Sequence, residues 1–122
     1  MTDRRRVDPK NRWSQAVGYS RAVRVGDRVF VAGTTAPGPD AYAQAKAALA
    51  VIVAALRELG AGPEHVVRTR MYVVDIERDW EAVGRAHRET FGETRPATTM
   101  VQVARLIDPA LLVEIEAEAV VS

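Results

Sequence analysis

The sequence predicts an α+β domain in which two helices cover one face of a mixed, five-stranded sheet, in the order β-β-α-β-α-β-β. Three observations carry this. Two β-rich stretches flank Gly26-Asp27. Two segments of helical period follow, over residues 40–60 and 79–92, each ending on a glycine. Strand-like runs lie between and after them.

In "YSRAVRVGDRVFVAGTT" the alternation of "AVRV", the turn pair and the β-branched "RVFVAG" read as a hairpin. "APGPD" breaks that pattern, and Asp40 is placed to cap the helix that follows. There Tyr42, Ala45, Leu49, Ile52, Leu56 and Leu59 recur at helical spacing, Gly60 stands at the C′ position, and the alanines allow close approach to a sheet. "HVVRTRMYVVDI" is a strand apolar on both faces, with Val67, Met71 and Val73 on one and Val66, Tyr72 and Val74 on the other. Asp79 is placed to cap the second helix, with Trp80, Val83, His87 and Phe91 on one side. "ATTMVQVARL" and "LLVEIEAEAVV" are the last two strands, and the latter sets Glu114, Glu116 and Glu118 on one face. Two helices leave one sheet face open, and apolar residues on it predict a homo-oligomer.

The 122 residues fit a single domain. No apolar run approaches the roughly 20 residues that cross a bilayer, so no membrane partner is expected. The start lacks an apolar signal core and the chain has no cysteine, which together suggest the cytoplasm and exclude thiolate zinc sites and cysteine nucleophiles. Net charge is +1. Arg4, Arg5, Arg6, Lys10 and Arg12 crowd residues 1–14, read as a mobile basic arm before a domain spanning 15–122. Without aromatic or glycine patterning around those charges, nucleic acid is not an expected partner.

"GTTAPGP" lacks the spacing and lysine of a phosphate loop. His65 and His87 have no partners at metal-like spacing; the first reads as exposed and the second as a satisfied core residue. Serines lack a nucleophile elbow. The alternating glutamates are solvated-face residues unless one is buried, when its raised pKa would suit it to act as a base.

Several stretches occur in order: "YSRAVRVGDRVFVAGT", "AQAKAALAVIVAALRELGAGPEHVVRTRMYVVDI", the pair Trp80 and Phe91, "RPATTMVQVARL" and "VEIEAEAV". Together they resemble the Rid family (YjgF-type, reactive intermediate deaminase) over roughly residues 15 to 121. The resemblance implies a chorismate-mutase-like subunit, a homotrimer, and a small-molecule ligand in the inter-subunit clefts. It also implies hydrolysis of enamines and imines such as 2-aminoacrylate to a 2-keto acid and ammonia, without a cofactor. Carried over residue by residue, Glu114 becomes the catalytic, water-activating group. Tyr19, Gly33 and Thr34 line the cleft with Gly84, Thr98 and Met100. Where active members read proline, small residue, arginine, this chain reads Pro96-Ala97-Thr98. Gly84 stands where asparagine is frequent, and Met100 where cysteine is frequent. Arg95 and Arg105 stand at odd separations from Thr98, which in a regular strand puts them on the opposite face. A divergent imine or enamine hydrolase and a non-catalytic ligand-binding or regulatory trimer remain the two readings. An RNA-acting protein, a role described for some members, ranks below both.

Overall fold

The computed structural model describes residues 3–122. Its elements are β1 (Arg4–Val7), β2 (Ala22–Val25), β3 (Arg28–Thr34), α1 (Ala41–Glu58), β4 (Val66–Val73), α2 (Ile76–Phe91), β5 (Ala97–Gln102) and β6 (Val113–Val120). They form one sheet in the order β1-β2-β3-β6-β4-β5, antiparallel throughout except for the β4–β5 pair. Both helices pack on the same face. Among the described residues no helix is long and apolar enough to cross a membrane.

The expected mixed sheet with two helices is present, with one strand more than expected. β1 falls within the residues read as a mobile arm, and its backbone pairs with β2 from Arg4 opposite Val25 to Val7 opposite Ala22. Only Val7 in that stretch is apolar, and it packs against the core. Backbone pairing, which leaves no hydrophobic pattern in "RRRV", holds the rest together with Arg6 Nε, which donates to Ser20 Oγ at 2.6 Å. The arginines leave this edge charged, which discourages edge-to-edge association.

α1 begins where Asp40 accepts a hydrogen bond from the Ala43 amide at 2.9 Å. It ends at Gly60, whose φ of +79° is the left-handed conformation that glycine adopts without a Cβ penalty. Between them Ala45, Ala48, Leu49, Ile52, Ala55 and Leu56 form its buried stripe, against Val29, Val31, Ile115 and Ala117 of the sheet. α2 starts earlier than expected. Asp75, not Asp79, is the cap, accepting from the Arg78 amide at 3.1 Å. Asp79 lies one turn inside, buried, in a two-pronged pair with the Arg78 guanidinium at 3.0 and 2.9 Å. The buried stripe therefore runs through Asp79, Val83 and Ala86, and Trp80 lies at its rim, 53 % exposed.

Two register shifts matter for the site. Between β4 and β6 the register slips between Val66 and Arg68, so Val66 enters the core and Val67 faces out, the reverse of simple alternation. Between β3 and β6, Val31 pairs with Ala117 but Thr34 with Ile115, so an extra residue of β3 bulges at Ala32-Gly33. Val31 and Thr34 both face the core as a result. The open face carries Phe30, Tyr72, Val101 and a charged ladder in which Arg70 bridges Glu116 and Glu118 at 3.3 and 2.9 Å.

Candidate functional site

Of the three alternating glutamates on β6, two are committed to neighbours. Glu118 pairs with Arg70, and Glu116 accepts from Arg70 and from the Tyr72 hydroxyl at 3.0 Å. Glu114 has no hydrogen-bond or ion-pair partner among the described residues. It lies half-buried against the β3 bulge, where a Cβ on Gly33 would overlap its Oε2. The bulge and the missing side chain together make room for this carboxylate. Burial, and then the charge of Glu116, push its pKa above the ordinary carboxylate range, while Arg21 opposes them.

The pocket around Glu114 has a volume of about 310 Å³ and is walled by Trp13, Val17, Tyr19, Arg21, Gly33 and Ile107, among others. A short π-helical turn over Ser14–Gly18 brings Trp13 and Val17 to it. The Tyr19 hydroxyl accepts from Asn11 Nδ2 at 2.8 Å and from Arg21 Nη2 at 3.2 Å. With both lone pairs occupied, its own proton is left to donate, and no acceptor takes it among the described residues. Tyr19 is thus a donor beside a base.

Arg21 escaped the sequence reading. It stands two residues after Tyr19 in an extended stretch, so the spacing that puts both on one face was available as a signal. Its guanidinium donates to Gly33 O at 3.0 Å and Thr34 Oγ1 at 2.9 Å. Thr34 in turn donates to Ala32 O at 2.7 Å. Thr34 is therefore not a cleft-lining residue. The bulge turns it into the core, 1 % exposed, where it braces the strand that presents Gly33.

Thr98 lies elsewhere, on the helix side of edge strand β5. Thr69 of β4 pairs with it, and Thr69 lies under His87 of α2. His87 Nε2 is 2.8 Å from Thr69 Oγ1, which is 2.9 Å from Thr98 Oγ1, and Thr98 donates to Pro96 O at 2.9 Å. One direction satisfies every group: His87 Nε2–H donates to Thr69, Thr69 to Thr98, and Thr98 to the carbonyl. Burial holds the His87 pKa below its usual value. This chain of bonds borders a cavity of about 560 Å³ that also contains Gly84, Arg88, Phe91, Arg95 and Met100. Nothing within 4 Å would meet a Cβ on Gly84, so the glycine opens the cavity rather than admitting a packed neighbour. Arg95 corrects the alternation reading. It precedes β5 with φ of +46°, outside any strand, and lines the same cavity as Thr98. Arg105 also lies beyond β5 and donates to Leu106 O.

The expected site residues thus form two groups. Tyr19, Gly33 and Glu114 share the open face of the sheet; Gly84, Thr98 and Met100 share the helix side of its far edge. β4 lies between β6 and β5, so one subunit does not bring them together. His65 is half-buried rather than exposed, and its Nδ1 accepts from the Gly62 amide at 3.0 Å. No group of three or more metal-ligating side chains occurs among the described residues.

The Glu114 shift fixes a sign for stability. Its folded pKa lies above the unfolded one, so the native state binds the proton more tightly, and stability falls as pH rises through that window. Glu114→Gln should therefore melt at a higher temperature than the wild type at neutral pH. The difference should vanish below the ordinary carboxylate range, as calorimetry across pH would register.

Six strands with two helices on one face make this a chorismate-mutase-like α+β protein. The family described as Endoribonuclease L-PSP matches residues 9–121. Rv2704 of Mycobacterium tuberculosis, whose structure is described as a member of the YjgF/YER057c/UK114 family, is 53 % identical with a TM-score of 0.95, covering 98 % of this chain and 100 % of its own. The RutC family protein PYRAB12510 of Pyrococcus abyssi is 36 % identical over 83 % of this chain and 84 % of its own length. E. coli TdcF, solved with bound serine, is 26 % identical with a TM-score of 0.78, covering 85 % of this chain and 88 % of its own. The chain belongs to this family, the Rid or YjgF family.

Proposed function

We propose that this protein hydrolyses a small imine, enamine or related carbonyl metabolite in clefts between the subunits of a homotrimer, with Glu114 as the base. The observation that carries the reading is Glu114 itself: a half-buried carboxylate with a raised pKa and no partner among the described residues, lining one pocket with a tyrosine that has a proton to donate. In the reaction, Glu114 takes a proton from water as the oxygen attacks the C=N carbon. The Tyr19 hydroxyl protonates the nitrogen to give the carbinolamine, and as the C=O bond forms and ammonia leaves, the carbinolamine hydroxyl returns a proton to the tyrosinate. The proton on Glu114 passes to the departing nitrogen. A base whose pKa is raised toward the working pH suits both transfers.

The geometry of the two groups supports the oligomer. They lie on opposite faces of one sheet, and a neighbour's helix-side edge laid against the open face would join them. Exposed Phe30 and Val101, at 42 % and 41 %, and Val17, at 69 %, offer the apolar surface for such a contact. Light scattering in dilute buffer should give three times the chain mass; the mass of one chain would refute the assembly.

Thr98 limits the choice of substrate. Its neutral hydroxyl is engaged with Thr69 and Pro96, and it cannot grip a carboxylate as an arginine does. That favours a substrate other than 2-aminoacrylate, and it is also the observation behind the second reading, a ligand-binding trimer without turnover. Generating 2-aminoacrylate with a dehydratase and following keto-acid formation tests the first point. Acceleration equal to that of an arginine-bearing relative would contradict it.

A further inference from the structure

We propose that Arg21 anchors the ligand's carboxylate in the Glu114 pocket, a charge relocated from the strand position that Thr98 occupies. Arg21 Nη1 spends both hydrogens on Gly33 O and Thr34 Oγ1, and Nη2 spends one on Tyr19 OH. The Nε–H and the second Nη2–H have no acceptor among the described residues. They leave a charged donor pair available to a carboxylate. The bonds already made hold the guanidinium in place, so little is lost in ordering it on binding.

The surroundings define the rest of the ligand. Glu114 and the Tyr19 proton flank the position next to the carboxylate, where a C=N or C=O carbon belongs. Beyond them the walls are Trp13, Val17 and Ile107, the last two 69 % and 55 % exposed. The class is therefore a 2-imino or 2-keto acid with an apolar side chain of several carbons, rather than a three-carbon acid. This assignment rests on Glu114 marking the ligand pocket, but not on turnover.

The probes are 4-methyl-2-oxopentanoate, its methyl ester and pyruvate, titrated against the full chain by calorimetry. The acid should bind wild-type protein at least about 10-fold more tightly than its ester, as a charge-assisted fork requires, and more tightly than pyruvate. Arg21→Gln should weaken the acid by about 10- to 100-fold and the ester by much less, so that the acid-to-ester ratio falls toward one. Arg21→Lys, a point charge without the fork, should fall between. Equal binding of acid and ester to wild type would overturn the assignment, as would full acid preference in Arg21→Gln. Should Arg21→Gln lose its fold with the Gly33 and Thr34 bonds, the acid-to-ester ratio of Arg21→Lys decides: an undiminished ratio overturns the fork. Arg21-dependent binding without hydrolysis would refute only the catalytic reading. Hydrolysis with an unchanged KM in Arg21→Gln would refute only this one.

Discussion

Replacing Glu114 by glutamine or alanine lowers turnover of the cognate substrate by about 100- to 10,000-fold, the range a general base contributes, and leaves ligand affinity nearly intact. The expectation comes from the contrast along β6. Glu116 and Glu118 face the same way but are held by Arg70 and Tyr72. Their carboxylate oxygens are already occupied by those hydrogen bonds. Glu114 has no such bonds among the described residues, and burial raises its affinity for a proton. Glu116→Gln is the internal control. It removes a charge that helps to raise the Glu114 pKa, so it should move the acidic limb of the pH–rate profile to lower pH while turnover persists. Since Glu114→Gln is also expected to be more stable at neutral pH, activity and stability should change in opposite directions. A residue retained for packing would lower both. Loss of ligand binding along with turnover would place Glu114 in recognition rather than chemistry.

Thr98→Arg raises kcat/KM for 2-aminoacrylate by about 100-fold or more, because a guanidinium there adds a second carboxylate anchor, one for a three-carbon acid, beside the Arg21 anchor that suits larger acids. The cavity beside position 98 has room for the new side chain: about 560 Å³, open at Gly84, with Met100 alongside. The cost is the hydrogen-bonded chain from His87 through Thr69 to Thr98 and the Pro96 carbonyl. Two lost bonds at about 0.5–1.5 kcal/mol each predict a modest drop in denaturation midpoint. Steady-state kinetics with dehydratase-generated substrate, together with urea unfolding, would measure both. No gain in a folded variant would mean that substrate choice is not made at position 98.

Local features that act through short spacing were legible in the sequence. Asp40 and Gly60 bound α1 as their types require, and the alternating glutamates share one face of β6. The errors arose where two local solutions were equivalent or where the sheet departs from regular alternation. "DIERD" offers two aspartates one helical turn apart, and only packing decides that Asp75 caps while Asp79 turns inward. The shift at Val66–Arg68 exchanges the faces of Val66 and Val67. β1 is held by backbone bonds that its side chains do not announce. The division of the site was not legible, because it depends on strand order: β4 inserts between β6 and β5, and no residue spacing encodes that. Arg21 was legible by its spacing from Tyr19, but its role depends on the carbonyl freed at the β3 bulge.

The central claim is that the Glu114 group of one subunit faces the Thr98 group of another. The chain has no cysteine, so introduced thiols can report this without background. Val17→Cys places one beside the Glu114 pocket, and Glu93→Cys places one beside the Thr98 cavity. The two variants would be co-assembled, treated with a short bismaleimide and run on a denaturing gel. A covalent dimer well above the yield of either variant alone is the predicted result. No excess dimer, with both cysteines freely alkylated, would contradict the account.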